Sequence, residues 1–174
     1  MKRKFVMYAV AVLMFALLLT VCGGDGGGGG SSSAGTAAQQ TVYTAGYIND
    51  GSNDIPSYWT GTTRTELPGS SANDVAATAI SVSSGTVYTA GNYYTGTTWV
   101  PCYWIGTARH ALAGANGTYA VAESTYVTSD NTVYTAGYNS DGTKYVPCYW
   151  TGTTRTDLPG DGTHDAMALG ISVN

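Results

Sequence analysis

Between Cys148 and Asp165 the chain reads CYWTGTTRTDLPGDGTHD, which gathers a thiol, carboxylates in a Gly-rich loop and an imidazole. A thiolate beside an imidazole is equipment for nucleophilic catalysis, and loop carboxylates can hold a hard divalent cation. Either chemistry needs one particular constellation rather than groups that recur as parts of a pattern. The cysteines do recur: Cys102 and Cys148 each precede a Tyr-Trp pair, and Ser57 stands in the same place before Tyr58-Trp59. That position suits a small buried side chain next to a tryptophan. His110 and His164 fall at unmatched positions, and neither belongs to a spaced ligand set such as HxxxH or to a Ser/His/Asp arrangement. No catalytic residue is assigned, and the chain is read as a non-enzyme.

The elements that must position these groups are set by an internal repeat. TVYTAG begins at Thr41, Thr86 and Thr132, and the Tyr-Trp pairs begin at Tyr58, Tyr103 and Tyr149, so both landmarks advance by 45 and then 46 residues. The copies run 41–85, 86–131 and 132–174, and together they form one domain, 41–174. The one extra residue of the second step falls in a turn, where SSG becomes TSDN. Segments such as VYTAGY, PCYW, TRTDL and AISV are rich in β-branched and aromatic residues and are bounded by Gly, Pro, Asp, Asn or Ser. Asp50-Gly51 and Asp141-Gly142 are hairpin signals. Arg64 with Glu66, and Arg155 with Asp157, are two residues apart and share a strand face, which predicts exposed ion pairs on outer strands. No segment after the first 21 residues keeps a helical period over ten residues. The reading is all-β, with three four-stranded antiparallel repeats.

The order Ala76 to Gly85, Val87 to Gly91, Cys102 to Gly106 and Arg109 to Leu112 resembles bacterial extracellular propeller repeats of the kelch-like and HAF kind. The resemblance implies a β-propeller-like fold; the β-trefoil and β-prism are the alternatives built on three-fold repeats of four strands. In the blade register the chain enters at a second strand, Val42, and leaves after a first strand, Ile171-Ser172-Val173. The expectation is that this C-terminal strand closes the first blade, making twelve strands. Three blades are fewer than the usual four to eight, so a homodimer that completes a six-bladed ring by exchanging that strand is a further expectation. Neighbouring blades stand ~10 Å apart, too far for a disulfide, so Cys102 and Cys148 should be free thiols.

Topology also brings one set of polar residues to a common face. In an antiparallel blade the hairpins between second and third strands emerge beside the blade-to-blade connections. That face collects Asp50, Asp54, Asp74, Asp141, Asp161, His164 and Asp165, near Tyr93, Tyr94, Tyr119 and Tyr138. Such a rim can bind Ca²⁺ through oxygen ligands or the hydroxyls of a sugar; Asp, Asn and Gly are also what turns require.

Lys2-Arg3-Lys4 precedes an apolar run to Val21, the pattern of an export signal over 1–21. Leu19-Thr20-Val21-Cys22 followed by GGDGGGGGSSS resembles a bacterial lipoprotein signal, which implies lipidation of Cys22 and a Gly/Ser-rich flexible tether over 22–40. Beyond the signal, Arg64, Arg109, Lys144 and Arg155 face eleven acidic residues, so no basic stripe exists to neutralise phosphates, and nucleic acid is excluded as a partner. The reading is a membrane-anchored binding or scaffold lipoprotein of the bacterial cell envelope, without a cofactor. Its partners are the membrane and a glycan or protein ligand. The alternatives are a lectin-like glycan-binding module and a non-catalytic fragment or subunit of a larger propeller enzyme.

Overall fold

Eleven strands in three antiparallel sheets make up the computed structural model, which describes residues 40–69, 75–114 and 119–174. The export signal, Cys22, almost all of the tether and Asp74 lie outside these residues. The first sheet holds β1 (Tyr43–Asn49), β2 (Asp54–Thr60) and β3 (Thr63–Glu66). The second holds β4 (Val75–Ser83), β5 (Thr86–Tyr94), β6 (Trp99–Ile105) and β7 (Ala108–Ala111). The third holds β8 (Ala120–Val127), β9 (Val133–Ser140), β10 (Tyr145–Thr151) and β11 (Thr154–Asp157). Within each sheet the strands lie in chain order.

Register repeats with sequence. Ala77 faces Gly91 in the second sheet and Ala122 faces Gly137 in the third, and each pairing is followed by a bulge, at Thr78 and at Glu123. The bulge carries a backbone carbonyl over the opposing glycine. A Cβ on Gly91 would stand 2.0 Å from the Ala76 oxygen, and one on Gly137 would stand 1.9 Å from the Val121 oxygen. Only glycine fits either place.

The core lies between sheets. Leu67, Val75, Ala77, Cys102 and Trp104 cluster where the first sheet meets the second, with Ala45 and Tyr58 packed against them. Tyr88, Ala90, Tyr103 and Leu112 of the second sheet and its following connection cluster with Cys148 and Trp150 of the third. Both indoles are fully buried, at 0 % exposure. A buried indole must place its N–H: Trp104 Nε1 donates to the Pro68 carbonyl at 3.2 Å and Trp150 Nε1 to the Ala113 carbonyl at 2.9 Å. A backbone acceptor lets the residue type there vary between copies. The TSDN turn adds a tether between the second and third sheets, because Tyr88 Oη donates to Asn131 Oδ1 at 3.3 Å and Ser83 Oγ to the Thr128 carbonyl at 3.4 Å.

The expected closure of the first sheet does not form. Among the described residues that sheet has three strands, no strand follows β11, and the count is eleven rather than twelve. Ala166–Val173, which matches β4 in sequence, lies on the third sheet instead: the Ala166 N–H donates to the Tyr145 carbonyl at 3.0 Å and the Ala168 N–H to the Gly137 carbonyl at 3.3 Å. The cause is local. The short connection after β11 is fastened by the Tyr145 N–H donating to Asp165 Oδ1 at 2.7 Å, which returns the chain to the sheet it has just left. The first sheet packs on the second and the second on the third, so the β1 edge stands at the other end of the row.

Candidate functional site

Asp50, Asp141 and Asp161 of the rim are first of all turn acceptors. Asp50 Oδ1 accepts the N–H groups of Ser52 and Asn53 at 2.8 and 2.7 Å. Asp54 accepts Asn49 Nδ2 at 2.7 Å. Asp141 Oδ1 accepts the N–H groups of Thr143 and Lys144 and the Thr143 hydroxyl, at 2.8, 2.9 and 2.7 Å. Asp161 Oδ1 accepts the N–H groups of Thr163 and His164 at 2.8 and 2.9 Å, while its Oδ2 lies 2.6 Å from His164 Nδ1. At Asp50, Asp141 and Asp161 these bonds favour the ionised form. The Thr143 hydroxyl and the Lys144 N–H hold Asp141 well below the usual carboxylate range, and the N–H and ring of His164 do the same for Asp161.

The structure gathers part of the rim. Lys144 Nζ donates to the Gly162 carbonyl at 2.8 Å, and with the Tyr145–Asp165 bond this joins the β9–β10 hairpin to the connection after β11. Asp141, Asp161, His164 and Asp165 are therefore neighbours. Asp50 and Asp54 belong to the β1–β2 hairpin, and no hydrogen bond or ion pair among the described residues joins them to that group. Among the described residues no three His, Cys, Asp or Glu side chains gather as a metal site. The oxygens are arranged for turns rather than around a common point.

Beside this loop group stands an aromatic cluster. Tyr119, Tyr138 and Tyr145 have ring centroids 4.9 to 6.2 Å apart. Tyr138 is buried, while Tyr119 and Tyr145 are half-exposed. Burial raises the phenol pKa of Tyr119 and Tyr138, so both stay protonated at neutral pH. Glu123, the half-buried residue on the β8 bulge, has its carboxyl pKa raised by burial. In the second sheet Tyr94 packs on Trp99 at 5.5 Å, and the Arg109 guanidinium lies 4.3 Å over the Tyr93 ring. Tyr145, Glu123 and Trp99 were not among the expected site residues. One signal was available: Tyr145 and Trp99 occupy the same repeat position, at the start of the strand after the hairpin.

The other reactive groups have structural places. Cys102 and Cys148 are free and buried, and burial pushes the Cys148 thiol up to about 11. His110 stacks on Tyr103 at 4.8 Å. Arg64 and Glu66 approach to 3.6 Å, and Arg155 and Asp157 to 2.9 Å, on outer strands. A groove of about 350 Å³ opens on the third sheet, with Tyr134, Ala136, Tyr149 and Leu158 on one side and Ala168 and Gly170–Val173 on the other. Its walls are mainly apolar.

No protein-family model matches the chain, and no curated protein matches it. Among solved structures, a fucose lectin from Kordia zhangzhouensis in complex with methyl-fucoside is similar at a TM-score of 0.44 and 10 % identity, over 68 % of this chain and 90 % of that one. A likeness this remote carries no argument for fold or ligand.

Proposed function

We propose that the chain is a lipid-anchored, surface-displayed glycan-binding protein of the cell envelope, without catalytic activity, built on propeller-like blades. The observation that carries the ligand class is the tyrosine cluster of the third sheet, fastened to the loop group through the Tyr145–Asp165 bond. Aromatic faces suit the apolar face of a sugar ring. Neighbouring carboxylates, phenols and the Lys144 ammonium suit its hydroxyls. Anchoring is supported by the apolar leader and by Cys22 at the head of a Gly/Ser run. The near-equivalence of the three copies supports binding over catalysis, and the one carboxylate–imidazole pair among the described residues, Asp161 with His164, is a contact within an exposed turn.

The test is a glycan array probed with the full chain, with and without Ca²⁺, alongside Tyr145→Ala and Tyr119→Ala. The expected result is retention on particular glycans and at least about a tenfold loss in each variant, the scale of an aromatic contact. No retention on any glycan, or retention that both variants leave intact, overturns the reading.

A further inference from the structure

The two ends of the row of sheets match each other. Tyr134, Ala136, Tyr149 and Leu158, which wall the groove on the third sheet, occupy the repeat positions of Tyr88, Ala90, Tyr103 and Leu112. Those four residues of the second copy hold Cys148 and Trp150. The groove is thus the same socket one sheet further on. The knob that such a socket takes is also in the chain: Trp59 repeats Trp104 and Trp150 but is half-exposed, while they are fully buried.

The strand pairing tells the same story through an independent residue. Gly91 and Gly137 must be glycine because a bulge carbonyl overhangs them. Gly46 is their counterpart on β1, yet a Cβ there would meet only the Trp59 ring, at 3.4 Å. It keeps clear a space that nothing in its own sheet uses. The segment able to use it is Ala166–Val173, which carries the β4 sequence pattern and is a strand of none of the three sheets. Both surfaces leave apolar side chains in water: Val42 is 64 % exposed and Tyr47 44 % along the β1 edge, and Leu169 is 68 % exposed and Met167 48 % on the segment.

We propose that Ala166–Val173 of one chain adds to the free β1 edge of a second copy, while Trp59 of that copy fills the first chain's groove, and that two chains close one ring of six sheets. The β4–β5 register carries over residue by residue. It pairs Met167 with Tyr47, Ala168 with Gly46, Gly170 with Ala45, Ile171 with Thr44, Ser172 with Tyr43 and Val173 with Val42, with a bulge at Leu169. The Met167 carbonyl then overhangs Gly46, and Trp59 Nε1 donates to the partner's Pro159 carbonyl. A knob and socket on different faces make a head-to-tail contact, which forms either a closed ring or an open filament. Six sheets fall within the range at which propellers close. This surface adjoins the tyrosine cluster through the Ala166–Tyr145 backbone bond but uses none of its rings, so its failure leaves the glycan reading standing.

The experiment is oxidative cross-linking of the full chain carrying Tyr43→Cys and Ser172→Cys, counted on a non-reducing gel. The control pairs Ser172→Cys with Ile48→Cys, several residues out of register. The expected result is a reducible two-chain band from the first pair and none from the control. An internal disulfide in a single chain would show self-closure and overturn the second copy. A ladder of higher multiples would overturn ring closure, and equal bands from both pairs would overturn the register. Gly46→Ala should keep the β-sheet circular dichroism spectrum while weakening association at least about tenfold; unchanged association overturns strand addition.

Discussion

The first and second sheets are built from nearly the same residues and treat them differently. Trp104 is sealed against Leu67, whereas Trp59 is half-exposed. Thr89 is fully buried, and Thr44 is exposed. Gly91 lies under a carbonyl, and Gly46 faces open space on that side. The difference is the preceding copy, which supplies β4 and Leu67 to the second sheet, while the first sheet has no counterpart of either among the described residues. In this architecture burial belongs to the junction between copies rather than to the copy itself.

Substitution at matched positions tests that lesson. Trp104→Ala should cost about 3–5 kcal/mol of chain stability, the usual loss for a buried tryptophan, while Trp59→Ala should act mainly on association; urea unfolding of both variants makes the comparison. Gly91→Ala comes next, at about 3 kcal/mol from forcing a Cβ against backbone, against under about 1 kcal/mol for Gly46→Ala. Thr89 Oγ1 and Thr135 Oγ1 are buried without a hydrogen-bond partner. Thr89→Val should therefore stabilise the chain by up to about 1 kcal/mol, and Thr44→Val should change its stability by less than about 0.5 kcal/mol.

The smallest effect tests the third sheet by pH. Burial raises the Glu123 pKa in the folded chain, so the folded form holds that proton more tightly than the unfolded one. Its contribution is fully present below the unfolded pKa and is lost as pH rises through the folded value. Glu123→Gln should raise the melting temperature at pH 7, with the gap closing below the ordinary glutamate range. A constant gap across pH would assign the effect to packing instead.

Much of the fold is legible in residue types. β-branched and aromatic runs mark the strands, Asp-Gly marks hairpins, and the repeat dictates that Ala122 faces Gly137 as Ala77 faces Gly91. What the pattern does not encode is which edge a strand meets. Ala166–Val173 reads as a first strand, and its face and register follow from composition, but the connection through Asp165 decides where it lies. The candidate site was half legible for a similar reason. Asp141, Asp161, His164 and Asp165 are brought together as topology required, yet residue type cannot tell a carboxylate that serves its own turn from one that awaits a ligand. Tyr145 joins the cluster because its strand starts beside Tyr138, a cross-strand relation that no single copy displays.

Asn131, the φ-positive residue of the lengthened TSDN turn, has a consequence for assembly during synthesis. Copies this alike offer a folding chain several wrong partners, since a hairpin from one can lie where another belongs. Among the described residues only the β8–β9 turn of the third sheet is lengthened in this way, and there Asn131 reaches back to Tyr88 of the sheet before. That contact acts as an address label: it marks which two sheets are meant to be neighbours, at the cost of one extra residue in a loop.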